Sequence, residues 1–203
     1  VALAVAYPNL PDISELADYR PKLPLRVFSA EGILIGEFGE ERRNLTPIAT
    51  IPKIMKDAVL AAEDARFYEH GGVDYKGMLR AGMANMNRAK SQGASTITMQ
   101  LAGLLDEDLR RGGDGRSLTQ KLGQTVAAQQ LERQWRKDQI LEAYLNTVPF
   151  RGEIVGIDAL SRTLFGKAPH GLDAREAAVA AALVRAPNAK PALVAQRACE
   201  LMR

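Results

Sequence analysis

The chain has 203 residues, which is enough for one domain with a sizeable hydrophobic core. Hydrophobic residues make up 46% of it but aromatic residues only 5%, which is typical of an alanine- and leucine-rich helical protein rather than a β-sandwich. The net charge of +3 suits anionic lipid surfaces or diphosphates, but it is too small to indicate nucleic acid, and no nucleic-acid-binding motif is present. The single cysteine, Cys199, excludes an internal disulfide.

The first part of the chain predicts an extended segment followed by a hairpin. Residues 1–24 begin with an apolar run and continue with several prolines, so they are expected to be a linker or the stub of a membrane anchor. Residues 25–38 alternate loosely in polarity around Glu31-Gly32, which predicts a two-stranded β-hairpin. No stretch reaches the roughly 18 apolar residues of a membrane-spanning helix. One domain is expected over residues 25–203.

Helical spacing of apolar residues dominates the rest of the chain and predicts a mainly α fold. Two segments, Ser117-Leu-Thr-Gln120 and Asp173-Ala-Arg-Glu176, match the capping box that begins many helices. The predicted helices cover approximately residues 52–68, 74–90, 95–105, 117–134, 136–146, 153–165, 173–185 and 190–202.

The helix predicted to begin at Pro52 carries candidate catalytic groups near its end. Glu63, Phe67 and His70 have helical spacing, so they are expected to share one face. Glu63 follows four apolar residues, and partial burial raises the pKa of a carboxylate, which suits it to act as a general base near neutral pH. The alternative is an amphipathic helix that ends in solvated acids.

A run rich in hydroxyl groups follows this first motif. Gly93 permits a tight turn, and Ser95 or Thr96 can cap the helix that comes next. The first N–H groups of a helix have no internal partner and attract anions, so this turn is a candidate phosphate site, with Thr98 and Gln100 as further donors. The alternative is an ordinary N-cap on an interior helix.

Together these runs resemble the peptidoglycan glycosyltransferase domain, family 51, of class A penicillin-binding proteins. The order is Glu-Asp-x-x-Phe-x-x-His-x-Gly-x-Asp at 63–74, then Gly-x-Ser-Thr-Ile-Thr-x-Gln at 93–100. Later segments at 137–146, 156–167 and 176–187 are similar to further motifs of that family. The resemblance therefore covers nearly the whole chain.

The resemblance implies a lysozyme-like helical domain with a smaller membrane-facing jaw lobe and a short N-terminal β-hairpin. It implies an enzyme at the periplasmic face of the bacterial inner membrane that polymerises lipid II, a disaccharide-peptide on undecaprenyl diphosphate. The 4-hydroxyl of an acceptor sugar attacks the anomeric carbon of the donor, and the lipid diphosphate leaves with inversion. The implied partners are lipid II, the growing glycan strand, the membrane interface and other cell-wall synthesis proteins. A divalent metal ion, Mg²⁺ or Mn²⁺, is an expected cofactor and is not assigned to residues.

The resemblance also assigns the site residues. Glu63 matches the catalytic base, and Asp64 and Gln124 complete the catalytic set. No residue is assigned as a metal ligand. The positions expected to bind substrate, including the donor diphosphate, are Phe67, His70, Ser95, Thr96, Gln100, Lys121, Lys137 and Asn146.

Three positions depart from the family's pattern, and one of them is Gln120, which stands where the family commonly has arginine. The family commonly has a lysine where this chain has Gly103, and a glutamate, its second functional carboxylate, where this chain has Gln124. Glutamine forms hydrogen bonds but carries no negative charge. The two halves also differ, because residues 10–100 resemble penicillin-binding proteins of the 1A type and residues 100–203 those of the 1C type. This difference raises the hypothesis of a chimeric or designed sequence joined near Gln100.

Met78, Met83 and Met86 recur in the helix that precedes the hydroxyl-rich run, with Arg80 among them. One interpretation is a surface that packs against lipid acyl chains, because methionines adapt to irregular partners and basic neighbours favour anionic headgroups. The other interpretation is a stripe of core residues.

Three functions remain in competition. The first is the glycan-polymerising enzyme. The second is a lysozyme-like glycan hydrolase or lytic transglycosylase, which needs an acid and often a second carboxylate at a defined distance, and the diphosphate-type run at 93–100 argues against it. The third is a catalytically degenerate scaffold that binds lipid II, which the departures at Gly103 and Gln124 suggest.

Overall fold

The computed structural model describes residues 25–28, 34–38, 45–86, 95–106, 109 and 118–203. Strands β1 (Leu25–Phe28) and β2 (Leu34–Phe38) pair antiparallel, with Leu25 opposite Phe38. The hairpin predicted from the alternation of residues 25–38 is therefore confirmed. The expected linker at 1–24 and the capping residue Ser117 lie outside the described residues.

Helices make up most of the described chain, which confirms the mainly α, lysozyme-like fold. None of the described helices is long and apolar enough to cross a membrane. The helices are α1 (Lys53–Glu63), α2 (Tyr75–Met86), α3 (Ile97–Leu105), α4 (Leu118–Gln134), α5 (Lys137–Thr147), α6 (Ile157–Phe165), α7 (Ala174–Arg185) and α8 (Pro191–Leu201).

Helix α7 lies in the core and packs against α1 and α8. Alanines on several of its sides are buried, and their small side chains let neighbouring helices approach closely. The helix begins at the predicted capping box: the Asp173 carboxylate accepts hydrogen bonds from the backbone N–H groups of Arg175 and Glu176, and Glu176 accepts one from the Asp173 N–H. These backbone hydrogen bonds lower the pKa of Asp173. This prediction is confirmed.

Helix α3 forms the second part of the core, where it packs against α4 and α5. It is buried on nearly every side, and Thr96 caps it by accepting a hydrogen bond from the Met99 N–H at 3.1 Å. Because α1 and α5 both contribute to the same apolar cluster as α3, the end of α1 is brought against the beginning of α3.

Two predicted helix boundaries are wrong. Helix α1 ends at Glu63 instead of continuing to residue 68, and Phe67 lies in a short 3₁₀ turn, Phe67–Glu69. The segment predicted to begin a helix at residue 153 instead forms a second antiparallel hairpin, β3 (Pro149–Arg151) and β4 (Ile154–Val155). Gly152 and Gly156 have φ angles of 53° and 82°, which a right-handed helix does not accommodate. Helix α6 starts only after Gly156.

Candidate active site

Glu63 is the last residue of α1, and a chain of hydrogen bonds fixes its side chain. The Gln100 Nε2 donates to Glu63 Oε2 at 2.9 Å, and the Tyr144 hydroxyl donates to Gln100 Oε1 at 2.9 Å. The fully buried Tyr144 thereby keeps the Gln100 carbonyl away from Glu63 and its NH₂ group towards it. The carboxylate is half-buried, and the donor of its hydrogen bond from Gln100 is a neutral amide.

Two depressions in the surface meet at Glu63 and Ser95, since both residues line each of them. The larger is a cleft of about 410 Å³, and the smaller is a polar cavity of about 100 Å³. The larger cleft is lined further by Gln100, Gly103, Leu104, Gln124, Thr147, Val148, Pro149, Val155, Val184, Arg185 and Pro187. The smaller cavity is lined further by Asp64, Ala65, Arg66, Asp74, Gly77, Arg80 and Thr96. Glu63 thus faces space on two sides.

Phe67 and His70 do not share a helical face with Glu63, and that prediction is wrong, because helix α1 ends at Glu63. The chain leaves the helix at Asp64, whose buried carboxylate accepts hydrogen bonds from the Ile97 N–H at 3.0 Å and from His70 Nε2 at 2.9 Å. A carboxylate at the positive end of α3 is electrostatically favourable there. Asp64 therefore joins the end of α1 to the beginning of α3 and positions Glu63 opposite Gln100.

Two of the N–H groups at the N-terminus of α3 already have partners inside the protein, and the assignment of this turn to phosphate binding stays a prediction. The Ile97 N–H donates to Asp64, and the Met99 N–H donates to the Thr96 hydroxyl. That hydroxyl donates in turn to the Gly72 carbonyl at 2.6 Å. The protein's own side chains thus occupy these donors. Of the two residues predicted to cap the helix, Thr96 does so, and Ser95 lies at the junction of the depressions.

Phe67 and Lys137 make internal contacts away from the two depressions. Lys137 Nζ donates to the His70 carbonyl at 2.6 Å and to Glu132 Oε1 at 2.7 Å, and it lies 4.3 Å from the centre of the buried Phe67 ring. Glu132 also accepts a hydrogen bond from the Thr98 hydroxyl at 2.7 Å. These contacts stabilise the turn after α1 against α3 and α5. The assignment of Phe67, His70 and Lys137 to substrate binding stays a prediction.

Asn146 is buried and fastens the segment before α1 to helix α5. Its Oδ1 accepts from the Thr46 N–H at 2.8 Å, and its Nδ2 donates to the Thr46 carbonyl at 3.0 Å. Through these two hydrogen bonds the Asn146 side chain pairs with the Thr46 backbone as a neighbouring β-strand would. Its assignment to substrate binding stays a prediction, although its neighbour Thr147 lines the larger cleft.

Gly103 and Gln124, two of the departures from the family pattern, lie next to each other in the wall of the larger cleft. The Gln124 Nε2 donates to the Leu109 carbonyl at 2.8 Å, and a Cβ added at Gly103 would lie 2.8 Å from the same nitrogen. The amide therefore occupies the space above Gly103 and serves as a hydrogen-bond donor. Lys121 is exposed one turn earlier on α4, and it is absent from the described lining of both depressions.

We expect Gln124→Glu to lower the free energy of unfolding by about 1–3 kcal/mol, because the Leu109 carbonyl would lose its donor and face a carboxylate oxygen. Urea unfolding monitored by circular dichroism measures the change. Gln129→Glu is the matched control, since Gln129 lies on the same helix and donates to the Tyr75 hydroxyl, which can itself donate to a carboxylate. Equal stability of the two variants would contradict the role given to Gln124.

Two arginines at the site have no role in the sequence-based assignment. Arg66 pairs with Asp74 through Nε at 3.1 Å and through Nη2, and the Gly77 N–H donates to the same carboxylate at 2.9 Å. Burial alone raises the pKa of Asp74, but these hydrogen bonds and the charge of Arg66 hold it below its usual value. Arg185, at the end of α7, lines the larger cleft with Glu63. Arg66 and Arg185 lie within the motif segments 63–74 and 176–187, and this position was the sequence signal that could have indicated a role for them.

The site combines one oriented carboxylate with space on both sides of it and with neutral amides along one wall. Among the residues described in the larger cleft, Glu63 is the one carboxylate. The arrangement suits a reaction between two groups bound on either side of Glu63, in which this one carboxylate accepts or donates a single proton. In a mainly helical, lysozyme-like domain, it defines a sugar-processing enzyme.

The chain belongs to the transglycosylase family, whose model matches residues 31–203. It is similar to penicillin-binding protein 1A of Neisseria flavescens, with 42% identity over 190 residues, 93% of this chain and 23% of that protein. The corresponding protein of Neisseria gonorrhoeae is 38% identical over 190 residues, again 93% of this chain and 23% of that protein. Penicillin-binding protein 1A of Escherichia coli K12 is 40% identical over 184 residues, 89% of this chain and 21% of that protein.

These similarities confirm the peptidoglycan glycosyltransferase domain predicted from the motifs. The chain spans less than a quarter of the length of the curated relatives named above. Because the matches cover 93% of the chain, the similarity to the 1A type runs through the position near Gln100 where a junction was hypothesised. The resemblance of the second half to the 1C type, and the chimeric or designed origin, stay hypotheses.

Proposed function

We propose that this chain polymerises lipid II into glycan strands and releases undecaprenyl diphosphate, with Glu63 as the general base. The observation that carries the proposal is the position of Glu63 where two depressions meet. One sugar on each side would bring an acceptor hydroxyl and a donor anomeric carbon to the same carboxylate. Identity of 38–42% to penicillin-binding proteins 1A over most of the chain supports it.

In the proposed reaction the acceptor's 4-hydroxyl oxygen forms a bond to the donor's anomeric carbon. The bond from that carbon to the diphosphate oxygen breaks, and its electron pair leaves with the diphosphate. Glu63 takes the hydroxyl proton, and attack from the face opposite the leaving group inverts the anomeric centre. The Gln100 amide keeps the Glu63 carboxylate in place for this step through its hydrogen bond to Oε2. General base catalysis of this kind contributes about 10²–10⁴ in rate.

The divalent metal ion expected from the resemblance stays a prediction, since Glu63 is the one carboxylate that lines the described part of the larger cleft. Mg²⁺ is usually bound through one or two carboxylates together with substrate phosphates. The described lining holds Glu63 with the amides of Gln100 and Gln124, and Gln124 directs its NH₂ group to Leu109. In the described part of the chain, no group of three acidic, histidine or cysteine side chains is placed to hold a metal. No step proposed here passes through a metal ion.

The hydrolase alternative has weaker support. Glycoside hydrolases usually use two carboxyl groups on opposite sides of the bond that is cleaved. Asp64 and Asp74 line the smaller cavity, but one is engaged by His70 and the Ile97 N–H and the other by Arg66. Neither is available as a second catalytic carboxylate. The scaffold alternative differs from the enzyme only in lacking turnover.

Incubation with labelled lipid II separates the three functions. Polymer separated by gel electrophoresis supports the transferase, cleavage of preformed glycan supports the hydrolase, and binding without either supports the scaffold. Parallel reactions with Mg²⁺, with Mn²⁺ and with a chelator measure the metal requirement. If labelled lipid II is not polymerised under any of the three conditions, the proposal is wrong.

We further propose that the domain works at the periplasmic face of the inner membrane, where other cell-wall synthesis proteins are its partners. Helix α2 supports membrane contact, since Leu79 is 66% exposed and Met83 is 55% exposed. Tyr75 and Met78 are exposed on the same helix, while Ala81 is buried. The core interpretation of Met78 and Met83 is therefore wrong, and the side chain of Met86 lies outside the described residues.

The double variant Leu79→Asp and Met83→Asp should lower the affinity for lipid vesicles by about tenfold or more, because each change removes an apolar side chain from the interface. Anionic lipid should strengthen binding of the unaltered protein, since Lys76 and Arg80 lie on the same helix. Co-sedimentation with vesicles measures both. Leu193→Asp is the control, because Leu193 is exposed on α8. Equal loss in control and double variant would refute contact through α2.

A further inference from the structure

Arg185 supplies a positive charge to the larger cleft. Among the described residues that line this cleft, Arg185 is the one cation and Glu63 the one anion, and the others are neutral. The wall formed by α3 and α4 contributes Gln100, Gly103 and Gln124, so its described part carries no charge. The charge therefore comes from the opposite wall, at the end of α7.

The position of Arg185 is set by the helix ends that surround it. It lies in the last turn of α7, and its Nη1 donates to the Ala62 carbonyl at 3.4 Å, one residue before Glu63. Arginine carries five N–H donors in a planar fork, so this one contact leaves further donors for a ligand. The side chain is exposed, and no carboxylate pairs with it in the part of the chain that the structure describes.

We propose that Arg185 binds the diphosphate of the lipid-linked sugar donor beside Glu63. This inference rests on the proposed function, because it names the residue that meets the leaving group of that reaction. A diphosphate gains charge as its bond to the sugar breaks, and a guanidinium matches phosphate oxygens with two parallel hydrogen bonds. Lys121, the cation expected from the motifs, is absent from the described lining of this cleft.

Binding of farnesyl diphosphate, a short polyprenyl diphosphate, tests the proposal without turnover. Titration calorimetry compares the unaltered protein with Arg185→Gln, Arg185→Lys and Arg175→Gln. Arg175 is the matched control because it is an exposed arginine at the other end of the same helix. Arg185→Gln should weaken binding by about tenfold or more, Arg185→Lys by less, and Arg175→Gln should leave it unchanged.

Farnesyl monophosphate and inorganic diphosphate show whether the effect follows the charge. Arg185→Gln should reduce the preference for farnesyl diphosphate over the monophosphate, which a purely structural contact with Ala62 would not do. If the Arg185 guanidinium binds the phosphate oxygens and does not contact the lipid, Arg185→Gln should weaken the binding of inorganic diphosphate by the same factor. Equal binding by the Arg185→Gln and Arg175→Gln proteins, or no binding by the unaltered protein, would overturn the proposal.

The kinetic readout separates this inference from the proposed function. If the unaltered protein forms no polymer, the proposed function fails, but the binding series still reports on Arg185. If polymer forms, Arg185→Gln should raise KM for lipid II and lower kcat, because the contact strengthens as the diphosphate leaves. Unchanged KM and kcat would overturn the role of Arg185 and leave the function standing. Thermal unfolding of each variant checks that the fold is retained.

Discussion

Glu63→Gln is expected to lower the rate of glycan polymerisation by about 10²- to 10⁴-fold while leaving the fold intact. The amide removes the base but keeps an oxygen that can accept the hydrogen bond from Gln100 Nε2. The chain of contacts from Tyr144 through Gln100 therefore survives the substitution, and little stability should be lost. The measurement is the initial rate of polymer formation from labelled lipid II at saturating substrate.

Glu153→Gln is the matched control for this prediction, because Glu153 is exposed in the turn between β3 and β4. It should retain the full rate. If Glu63→Gln keeps a rate within a few-fold of the unaltered protein, Glu63 is not the base. A large drop with an unchanged melting temperature would support the assignment and exclude unfolding as the cause.

Gly156→Ala is expected to destabilise the protein by about 3–5 kcal/mol, since it combines backbone strain with a steric clash. Gly156 has φ 82° and ψ 157°, a region that only glycine occupies readily. An added Cβ would also lie 2.6 Å from the Asn146 carbonyl oxygen. That carbonyl belongs to the end of α5, so it cannot move without displacing the helix. Urea unfolding gives the change in free energy.

Gly166→Ala separates the two contributions. Gly166 has φ 68° and ψ 21°, the left-handed conformation at the end of α6, and an added Cβ would meet nothing within 4 Å. Its substitution should cost only about 1–2 kcal/mol. If both alanine variants lose the same stability, the steric clash between the added Cβ and the Asn146 carbonyl oxygen does not contribute to the free energy of unfolding. A Gly156→Ala protein that fails to fold while Gly166→Ala folds would agree with the prediction.

The helices were predictable because apolar spacing and caps are local signals. The start of α7 follows from Asp173 and Glu176 alone, and the structure places it there. The end of α1 was not predictable, since Asp64 leaves the helix to meet the Ile97 N–H, a partner 33 residues away. The hairpin after Pro149 was missed because its glycines, Gly152 and Gly156, fit a helix boundary as readily as a turn.

The candidate site was predictable in its parts but not in its contacts. The motifs indicated Glu63 and Gln100, and the structure joins them directly at 2.9 Å. The motifs could not indicate that Tyr144 orients this amide, because the pairing depends on the packing of α5 against α3. For the same reason Lys137 could be recognised as part of a motif, while its contacts with Glu132 and the His70 carbonyl could not.

The contact between Gly103 and Gln124 couples the two positions energetically. A side chain introduced at 103 would meet the amide of Gln124, and a glutamate introduced at 124 would face the Leu109 carbonyl. Each single replacement should therefore lower the free energy of unfolding, and the effect of one replacement should depend on whether the other is present. A lysine at 103 together with a glutamate at 124 should therefore cost less stability than the sum of the two single replacements.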